Sequence, residues 1–304
     1  MARTIDVVHL GSASRDLTED DPRGWRLGGG VTYAALTTAR LGLATAAAIG
    51  LDPVATSAWE LDLLRDAGVD VRPIELSAGP VFANEERPTG RVQVVHDVGV
   101  PLPDAVAPGT WATAGAWSIV PVAGELPDGA SRWAPEGAFL AFGWQGLLRS
   151  LRAGQRVRRR APRPDATLAR ADLVSMSRND VEATVELEQL AGLLRDGTRL
   201  AITDGAFGGV LVRVGDGGTV ARQSYPAIPV AGEVDATGAG DVFLASLLAA
   251  ILGSDRGDGW PTMRQLTFAA AAASLAVTAP GLLGVPDDAA AVRRAAANVA
   301  PACD

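Results

Sequence analysis

The sequence predicts an α/β fold in which a mostly parallel central sheet is covered by helices on both faces. Short apolar runs rich in β-branched residues alternate along the chain with longer Ala- and Leu-rich runs of helical periodicity. Strands that are separated by helices favour parallel pairing, because each connection crosses over the sheet. The 304 residues contain no internal repeat and no long linker, so we expect one domain over residues 1–304.

The individual elements follow from these runs in chain order. Helices are expected where the longer periodic runs lie, and Gly42 and Gly68 end the first two of them. The predicted strands span residues 5–10, 44–49, 116–120, 137–142, 173–175, 199–203 and 210–214. The predicted helices span residues 31–41, 55–67, 180–195, 239–252, 263–278 and 287–298.

Two stretches break this alternation. Residues 16–30 are polar and rich in turn-forming residues, and residues 81–98 alternate apolar and polar residues on both sides of the turn Pro88-Thr89-Gly90. The second stretch predicts an antiparallel hairpin. We therefore expect a small β lid over the carboxyl edge of the sheet, inserted at about residues 13–28 and 76–98.

The overall charge and the hydropathy pattern exclude several classes of protein. The net charge is −8, so a nucleic-acid partner is not expected. No apolar run reaches the length of a membrane span, and no charged-then-apolar segment lies at the N-terminus, so we expect a cytoplasmic protein without a membrane partner. Cys303 is the single cysteine, which excludes a disulfide framework and a cysteine-based zinc cluster.

The sequence contains no lysine; every basic residue other than histidine is an arginine. A Walker A phosphate loop, a pyridoxal-phosphate enzyme and a protein-kinase site each need a lysine. None of these can be built from this chain.

The strongest chemical signal is the segment 234–241, Val-Asp-Ala-Thr-Gly-Ala-Gly-Asp, which leads into an apolar helix. Its small residues let a ligand approach the backbone closely. The free amides of the first helical turn and the helix dipole favour an anion there. Asp241 lies in the same turn, where it is suited to take a proton from a hydroxyl that attacks a bound phosphate. On this segment alone, a helix-capping role for Asp241 is an equally good interpretation.

Several further segments in order along the chain resemble the ribokinase/PfkB family of carbohydrate kinases. Segment 234–241 resembles the family's second signature, and the others resemble its first strand, its double-glycine motif and helix, its N-x-x-E motif, its nucleotide turn and the stretch that closes the adenine pocket. The segments are residues 10–16, 28–35 with 40–42, 49–52, 67–70, 179–182, 203–208 and 280–281. The resemblance implies a ribokinase-like fold and phosphorylation of a hydroxyl of a sugar, polyol or nucleoside by ATP.

The resemblance also implies a role for each matched residue. Asp241 matches the general base, and Gly238, Ala239 and Gly240 match the anion hole. The residues implied to bind the acceptor are Asp16, Gly28 and Gly29, to which we add Tyr33, Glu125 and Arg149. Those implied for the nucleotide are Thr203, Gly205, Gly208, Thr237 and Gly281.

Asn179 and Glu182 match the motif that organises Mg²⁺ through water and phosphate, so ATP and Mg²⁺ are the implied cofactors. The resemblance also leaves room for a monovalent cation and for a homodimer. Taken alone, Asn179 and Glu182 fit an ordinary helix start, with Asn as cap and Glu as third residue.

Tyr33 departs from the family pattern, in which an Asn binds the sugar hydroxyls. The segments 120–125 and 144–149 are more similar to the branch that contains the plant inositol 3-kinases, which also lacks this Asn. We therefore expect poor activity on ribose and better activity on a cyclic polyol or a nucleoside stacked on Tyr33. The arginine-rich segment 149–163 is interpreted as a solvated surface, with an anion-facing rim as the alternative.

Two other functions fit parts of the sequence. The first is a catalytically silent sugar- or nucleotide-binding protein of the same fold, which the intact glycines and Asp241 disfavour. The second is a nicotinamide-dependent oxidoreductase. The expected first strand is followed by Gly11-Ser12-Ala13-Ser14 and lacks the glycine-rich dinucleotide-binding fingerprint.

Overall fold

The strands and helices are seen in a computed structural model, which describes residues 4–85, 92–104, 106–127, 129–216, 219–254 and 260–297. The strands are β1 Val7–Ser12, β2 Ser14–Leu17, β3 Trp25–Gly28, β4 Thr45–Leu51, β5 Asp70–Glu75, β6 Val81–Glu85, β7 Val92–Asp97, β8 Ala116–Ile119, β9 Phe139–Gly143, β10 Arg149–Ser150, β11 Gln155–Arg156, β12 Arg158–Arg159, β13 Leu173–Ser177, β14 Arg199–Thr203, β15 Gly209–Val214 and β16 Val220–Tyr225. The helices are α1 Gly30–Arg40, α2 Glu60–Asp66, α3 Leu187–Ala191, α4 Ala239–Leu252, α5 Met263–Ala276 and α6 Ala289–Ala297.

The main sheet has nine strands in the order β16-β15-β14-β13-β9-β8-β1-β4-β5. The strands from β14 to β5 in this order pair in parallel, and β15 and β16 add two antiparallel pairs at one edge. This confirms the predicted α/β class with a mostly parallel sheet.

Both faces of this sheet are covered, as expected for parallel strands that are apolar on both sides. Every residue of β1 and β4 is buried. The successive residues Val7 and Val8 belong to different core clusters, because neighbouring side chains of a strand point to opposite faces. The cluster of Val7 includes Phe243 of α4, and that of Val8 includes Leu190 of α3.

A second sheet of five strands lies in the order β11-β7-β6-β2-β3, and we call it the lid. Strands β6 and β7 pair antiparallel, which confirms the predicted hairpin; its expected turn at residues 88–90 lies outside the described residues. Two ion pairs tie the lid to the main body. Arg15 of β2 binds Asp52 at 2.9 Å, and Arg23 beside β3 binds the buried Glu60 of α2 at 2.6 Å. The single-domain organisation stays a prediction.

The prediction of a helix at residues 180–195 is wrong for most of that range. The periodic pattern at residues 180–195 predicts a helix there, whereas α3 covers only Leu187–Ala191. Val181 is extended, and a new capping box forms between Glu186 and Gln189, so the helix cannot start earlier. The helix expected at 55–67 begins only at Glu60, after Ala58 adopts an extended conformation. Residue 298 of the last predicted helix lies outside the described residues.

Within the described residues, no helix has the length and apolar character that a membrane crossing requires.

Candidate active site

The carboxyl ends of the parallel strands and the lid enclose one large cavity with a volume of about 870 Å³. Ser177, the last residue of β13, and Thr203, the last residue of β14, line it, as do Phe82 and Asn84 of the lid. Ligands of open α/β sheets bind at this edge. The volume is within the range typical of small-molecule sites.

The cavity brings together most of the site residues predicted from the sequence. The lining residues among them are Asp16, Gly29, Tyr33, Arg149, Asn179, Thr203, Gly205, Gly208, Thr237, Gly238, Ala239, Gly240 and Asp241. Four predicted site residues do not line it: Gly28, Glu125, Glu182 and Gly281.

The first turn of α4 forms one wall of the cavity. Gly238 precedes the helix with a φ of 79°, a left-handed conformation that favours glycine. The Ala239 amide donates to the Ala236 carbonyl at 3.3 Å, and the next amides of the turn have no carbonyl partner within the helix. These amides and the helix dipole make this turn suited to an anion.

The ring of Tyr33 in α1 packs against Gly238, the residue before this turn. A Cβ atom at Gly238 would overlap the Tyr33 ring, so glycine is needed for the two to pack. Tyr33 is only 2% exposed, which leaves little of its ring face for an acceptor. Stacking of an acceptor on Tyr33 stays a prediction. The burial of the Tyr33 ring against Gly238 does not favour such stacking.

The first and third of three successive glycines each make room for a carboxylate beside the cavity. A Cβ at Gly28 would overlap the Asp16 carboxylate, and one at Gly30 would lie 2.7 Å from Asp241 Oδ1. Gly29, with a φ of 97°, turns the chain against the backbone carbonyl of Ser12. Ser14 Oγ donates to Asp16 Oδ1 at 2.9 Å and orients that carboxylate.

The carboxyl of Asp241 is electrostatically unusual. Burial raises its pKa to about 7, and the Arg149 guanidinium partly offsets this rise. The neighbouring carboxylates of Asp180 and Asp16 act in the same direction as burial. A carboxylate with a pKa near neutrality, located in a cavity, is suited to general base catalysis.

Arg149 lies among the acidic groups of the cavity. It is the only cationic side chain among the lining residues that the structure describes. Burial lowers its pKa, whereas the charges of Asp180, Asp241 and Asp16 raise it. Its guanidinium donates to the Val122 carbonyl at 3.4 Å, so the group is held inside the cavity rather than at the surface.

Asp180 is a cavity residue that the sequence analysis missed. Its Oδ2 accepts from the Ser177 amide at 2.8 Å, and the Gln145 side chain lies 3.4 Å from Oδ1. Burial raises its pKa, and Arg149 acts against this rise. The signal in the sequence is the Ser-x-x-Asp pattern of residues 177–180, which forms a capping box here.

Asn179 and Glu182 lie near the mouth of the cavity. Both are exposed, and only Asn179 lines the cavity. Arg159 links them, because it donates to the Asn179 carbonyl at 2.8 Å and pairs with Glu182 at 3.2 Å. The described residues contain no cluster of three or more His, Cys, Asp or Glu that could hold a metal ion directly. This arrangement fits Mg²⁺ only in the form in which it keeps its waters and binds phosphate.

Glu125 lies behind the cavity and is 3% exposed. Its carboxylate accepts from the amides of Ser12, Val122 and Ala123 at 2.8–3.2 Å. Burial raises its pKa, and these hydrogen bonds oppose the rise. Glu125 thus holds the end of β1 against the turn that carries Val122, a positioning role that the sequence did not indicate.

The other half of the cavity is mainly apolar. The turn 203–208 closes through the Asp204 amide, which donates to the Gly208 carbonyl at 2.8 Å. Tyr225 stacks on Phe243 with 5.2 Å between the ring centres. The remaining apolar wall consists of Ala206, Ile228, Pro229, Val230, Leu244, Ala270, Ala273 and Val277.

The Asp235 carboxylate connects Gly281 to the loop that precedes α4. Asp235 accepts from the Thr237 amide at 2.9 Å and from the Gly281 amide at 3.1 Å. The Asp235 carboxylate therefore links the two loops at the start of α4.

Comparisons with known structures agree with this fold. A pyrophosphate-dependent kinase in the ribokinase family, complexed with a pyrophosphate analog and myo-inositol, is 20% identical with a TM-score of 0.69 over 95% of this chain and 99% of that one. Arabidopsis thaliana ribokinase, complexed with ribose and ATP, is 19% identical with a TM-score of 0.66 over 97% and 99%. Methanocaldococcus jannaschii nucleoside kinase is 14% identical with a TM-score of 0.65 over 97% and 99%.

At these identities the likeness shows a common fold. No curated protein matches the sequence. Residues 155–288, which include Asn179 and the whole of α4, match the model of the pfkB family of carbohydrate kinases. The whole chain thus has a ribokinase-like fold, and its residues 155–288 are similar to the pfkB family of carbohydrate kinases.

Proposed function

We propose that the protein transfers the γ-phosphoryl group of ATP to a hydroxyl of a neutral sugar, polyol or nucleoside, with Asp241 as general base. The observation that carries this proposal is the position of the Asp241 carboxylate, which lies in the first turn of α4 beside the proposed anion hole. Burial raises the pKa of this carboxyl to about 7.

The step assigns each group a part. An acceptor hydroxyl gives its proton to the Asp241 carboxylate while its oxygen attacks the γ-phosphorus, and the bond to the β-phosphate oxygen breaks to release ADP. The amides of Gly238, Ala239 and Gly240 stabilise the charge on the transferring group. Asn179 and Glu182 would hold Mg²⁺ through its waters beside the phosphates, where the ion would supply further charge neutralisation.

The charge of the cavity supports a neutral acceptor. Asp16, Asp180 and Asp241 face the single cation Arg149, so this part of the cavity has an excess of negative charge. An acceptor that already carries a phosphate or carboxylate would be repelled. The carboxylates of this part, the Gln145 amide and the Arg149 guanidinium are suited to bind several hydroxyls of a neutral acceptor.

The apolar half of the cavity supports a nucleotide as the donor. A wall that includes Ile228, Ala270, Ala273 and Val277 offers apolar area and few polar partners. Such a wall suits the flat face of a purine base, and inorganic pyrophosphate would gain nothing from it.

The pH dependence of the reaction follows from the pKa of Asp241. A base must be ionised to accept a proton, so kcat/KM should fall tenfold per pH unit below about 7 and level off above it. The Arg149 charge lowers the pKa of Asp241, so Arg149→Gln should move the acidic limb of the pH profile to higher pH. The Asp180 carboxylate raises this pKa, so Asp180→Asn should move the same limb to lower pH. A flat profile in the parent, or unmoved limbs in both variants, would refute this role of Asp241.

The anion hole can be tested at Gly240 without disturbing the fold. Apart from its chain neighbours and the backbone of its own helix, a Cβ at Gly240 would meet no protein atom within 4 Å, and this residue lines the cavity. Gly240→Val should therefore fold normally and raise the KM for ATP by about tenfold or more, because its side chain enters the space proposed for the γ-phosphate. Gly109→Val, also without neighbours within 4 Å but outside the cavity, is the control. Unchanged ATP kinetics in Gly240→Val would place the phosphates elsewhere.

The function itself is tested by acceptor-dependent release of ADP. Myo-inositol, ribose, adenosine and ribose 5-phosphate are each supplied with ATP and Mg²⁺, and pyrophosphate replaces ATP in a parallel series. We expect turnover with ATP on at least one neutral acceptor and none on ribose 5-phosphate. Turnover with pyrophosphate alone would overturn the donor, and a preference for the phosphorylated acceptor would overturn the charge argument.

A further inference from the structure

Arginines are concentrated in one surface segment of this acidic chain. Residues 149–163 contain seven arginines and no acidic residue, whereas the whole chain has a net charge of −8. All of them except Arg149 are exposed, and we call these six residues the arginine surface: Arg152, Arg156, Arg158, Arg159, Arg160 and Arg163. Among the described residues, Arg159 is the only one of the six that forms an ion pair. The arginine surface is therefore a cluster of largely unpaired positive charges.

The strand pairings place this surface at the edge of the lid and beside the cavity. Strand β11, which contains Arg156, is an edge strand of the lid. Strands β10 and β12 form an antiparallel ribbon in which Arg149 and Arg159 are directly opposite each other. Residues paired in this way have their side chains on the same face, so Arg159 lies next to Arg149, which lines the cavity.

Arg159 connects the arginine surface to the mouth of the cavity. Its guanidinium donates at 2.8 Å to the carbonyl of Asn179, a lining residue. Burial raises the pKa of Asp180, and the Arg159 charge is among those that oppose this rise, so its field reaches into the cavity. Arg156, Arg158 and Arg160 are at most three residues from Arg159, which is at most about 10 Å of extended chain. At that separation their charges are only partly screened by salt.

The charge of the rest of the molecule opposes the entry of a polyanion. The donor of the proposed reaction carries several negative charges, and it has to enter a cavity in which Asp16, Asp180 and Asp241 outnumber Arg149. The net charge of the chain repels it as well. The like charges of Arg149 and Arg159, directly opposite each other, are unfavourable until an anion approaches them.

We propose that the arginine surface attracts the polyphosphate donor electrostatically and guides it to the mouth of the cavity beside Asn179. This inference rests on the proposed function, because it concerns the donor of that reaction. A surface of one charge sign raises the local concentration of an oppositely charged ligand and its association rate. A neutral acceptor is not attracted, so the arginine surface acts on only one of the two substrates.

The position of the surface makes it act on association rather than on the bound state. None of its six arginines is among the lining residues that the structure describes. Charges at the rim of a binding site change mainly the association rate constant and its dependence on salt. The dissociation rate constant depends on the contacts inside the cavity, which these side chains do not make.

The test neutralises three charges of the surface at once. The surface variant combines Arg156→Gln, Arg158→Gln and Arg160→Gln, and it keeps Arg159 so that the contacts with Asn179 and Glu182 remain. The three replaced residues are exposed and unpaired among the described residues, so the fold should stay intact.

A matched control removes the same charge elsewhere. The control variant combines Arg72→Gln of β5 with Arg293→Gln and Arg294→Gln of α6, all exposed and outside the cavity. Both variants have the same net charge, so only the place of the lost charges differs. Stopped-flow fluorescence gives the association and dissociation rate constants of labelled ATP with Mg²⁺ and without an acceptor, at about 20 mM and about 300 mM salt. Labelled adenosine serves as the uncharged ligand.

We expect the surface variant to bind labelled ATP about tenfold more slowly than the parent at the lower salt concentration. The association rate constant of the parent should fall about tenfold between the two salt concentrations, and that of the surface variant should change much less. Dissociation rate constants, the control variant and the binding of labelled adenosine should stay within about twofold of the parent. Equal association of ATP with the parent and the surface variant, or an equal loss in the control variant, would overturn the assignment.

The outcome also separates this inference from the proposed function. If labelled ATP binds to the parent and to the surface variant at the same rate, only the role of the arginine surface is wrong. If labelled ATP does not bind to the parent at all, the donor of the proposed function is wrong and the role of the arginine surface falls with it.

Discussion

Replacing Asp241 by asparagine is expected to lower kcat by about 10²–10⁴-fold while the KM for ATP stays close to that of the parent. Asparagine keeps the size of the side chain and its place in the first turn of α4, but it cannot accept the proton of the acceptor hydroxyl. The measurement is steady-state formation of ADP with the best neutral acceptor at a pH above 7, where the parent carboxyl is ionised.

This variant should not be less stable than the parent. The raised pKa of Asp241 means that its ionised form is unfavourable in the fold, so the free energy of unfolding above pH 7 should be equal or higher in Asp241→Asn. Asp62→Asn is the matched control, since Asp62 is likewise the third residue of its helix, α2, but is exposed and outside the cavity. Near-parent turnover in Asp241→Asn would remove Asp241 from the catalytic role.

A methyl group at Gly30 is expected to have the next largest effect. The Cβ of Gly30→Ala would lie 2.7 Å from Asp241 Oδ1 and 3.1 Å from Val120 Cβ, so the carboxylate has to move. A displacement of about 1 Å in a reacting group costs about 10² in rate. Steady-state kinetics should therefore show a kcat about 100-fold lower, with ATP binding retained.

The stability of this variant separates a displaced base from a damaged fold. Alanine is a better helix residue than glycine, and Gly30 is the first residue of α1, so the helix itself should not suffer. Gly109→Ala, whose Cβ would meet nothing within 4 Å, controls for the substitution itself. A Gly30→Ala enzyme that turns over as fast as Gly109→Ala would show that this glycine does not make room for a working carboxylate.

The parts of the site that the sequence predicts well are those that depend on short-range backbone requirements. The glycines before α4 and the long apolar run after them indicate the helix, which begins and ends as expected at Ala239 and Leu252. The alternating apolar runs likewise predict the parallel sheet, because its strands are buried on both faces.

Features that depend on contacts between segments far apart in the chain could not be predicted from the sequence. Glu125 looks like a polar residue near the acceptor, but it is buried behind the cavity against backbone amides from two segments. Glu182 lies in a loop and pairs with Arg159 of strand β12, more than twenty residues earlier in the chain. The sequence predicts a lid segment at about residues 13–28, but no apolar run marks the bounds of its short strands β2 and β3.

The central claim is that ATP gives its γ-phosphoryl group to a neutral polyhydroxyl acceptor in this cavity. It is tested most directly by phosphorus NMR of one mixture of the parent protein, ATP, Mg²⁺ and the neutral acceptors myo-inositol, ribose and adenosine. The account predicts one molecule of new phosphomonoester for each ADP formed, and at least about 100-fold less product with Asp241→Asn over the same time. Inorganic phosphate in place of the phosphomonoester, or equal product from both proteins, would contradict it.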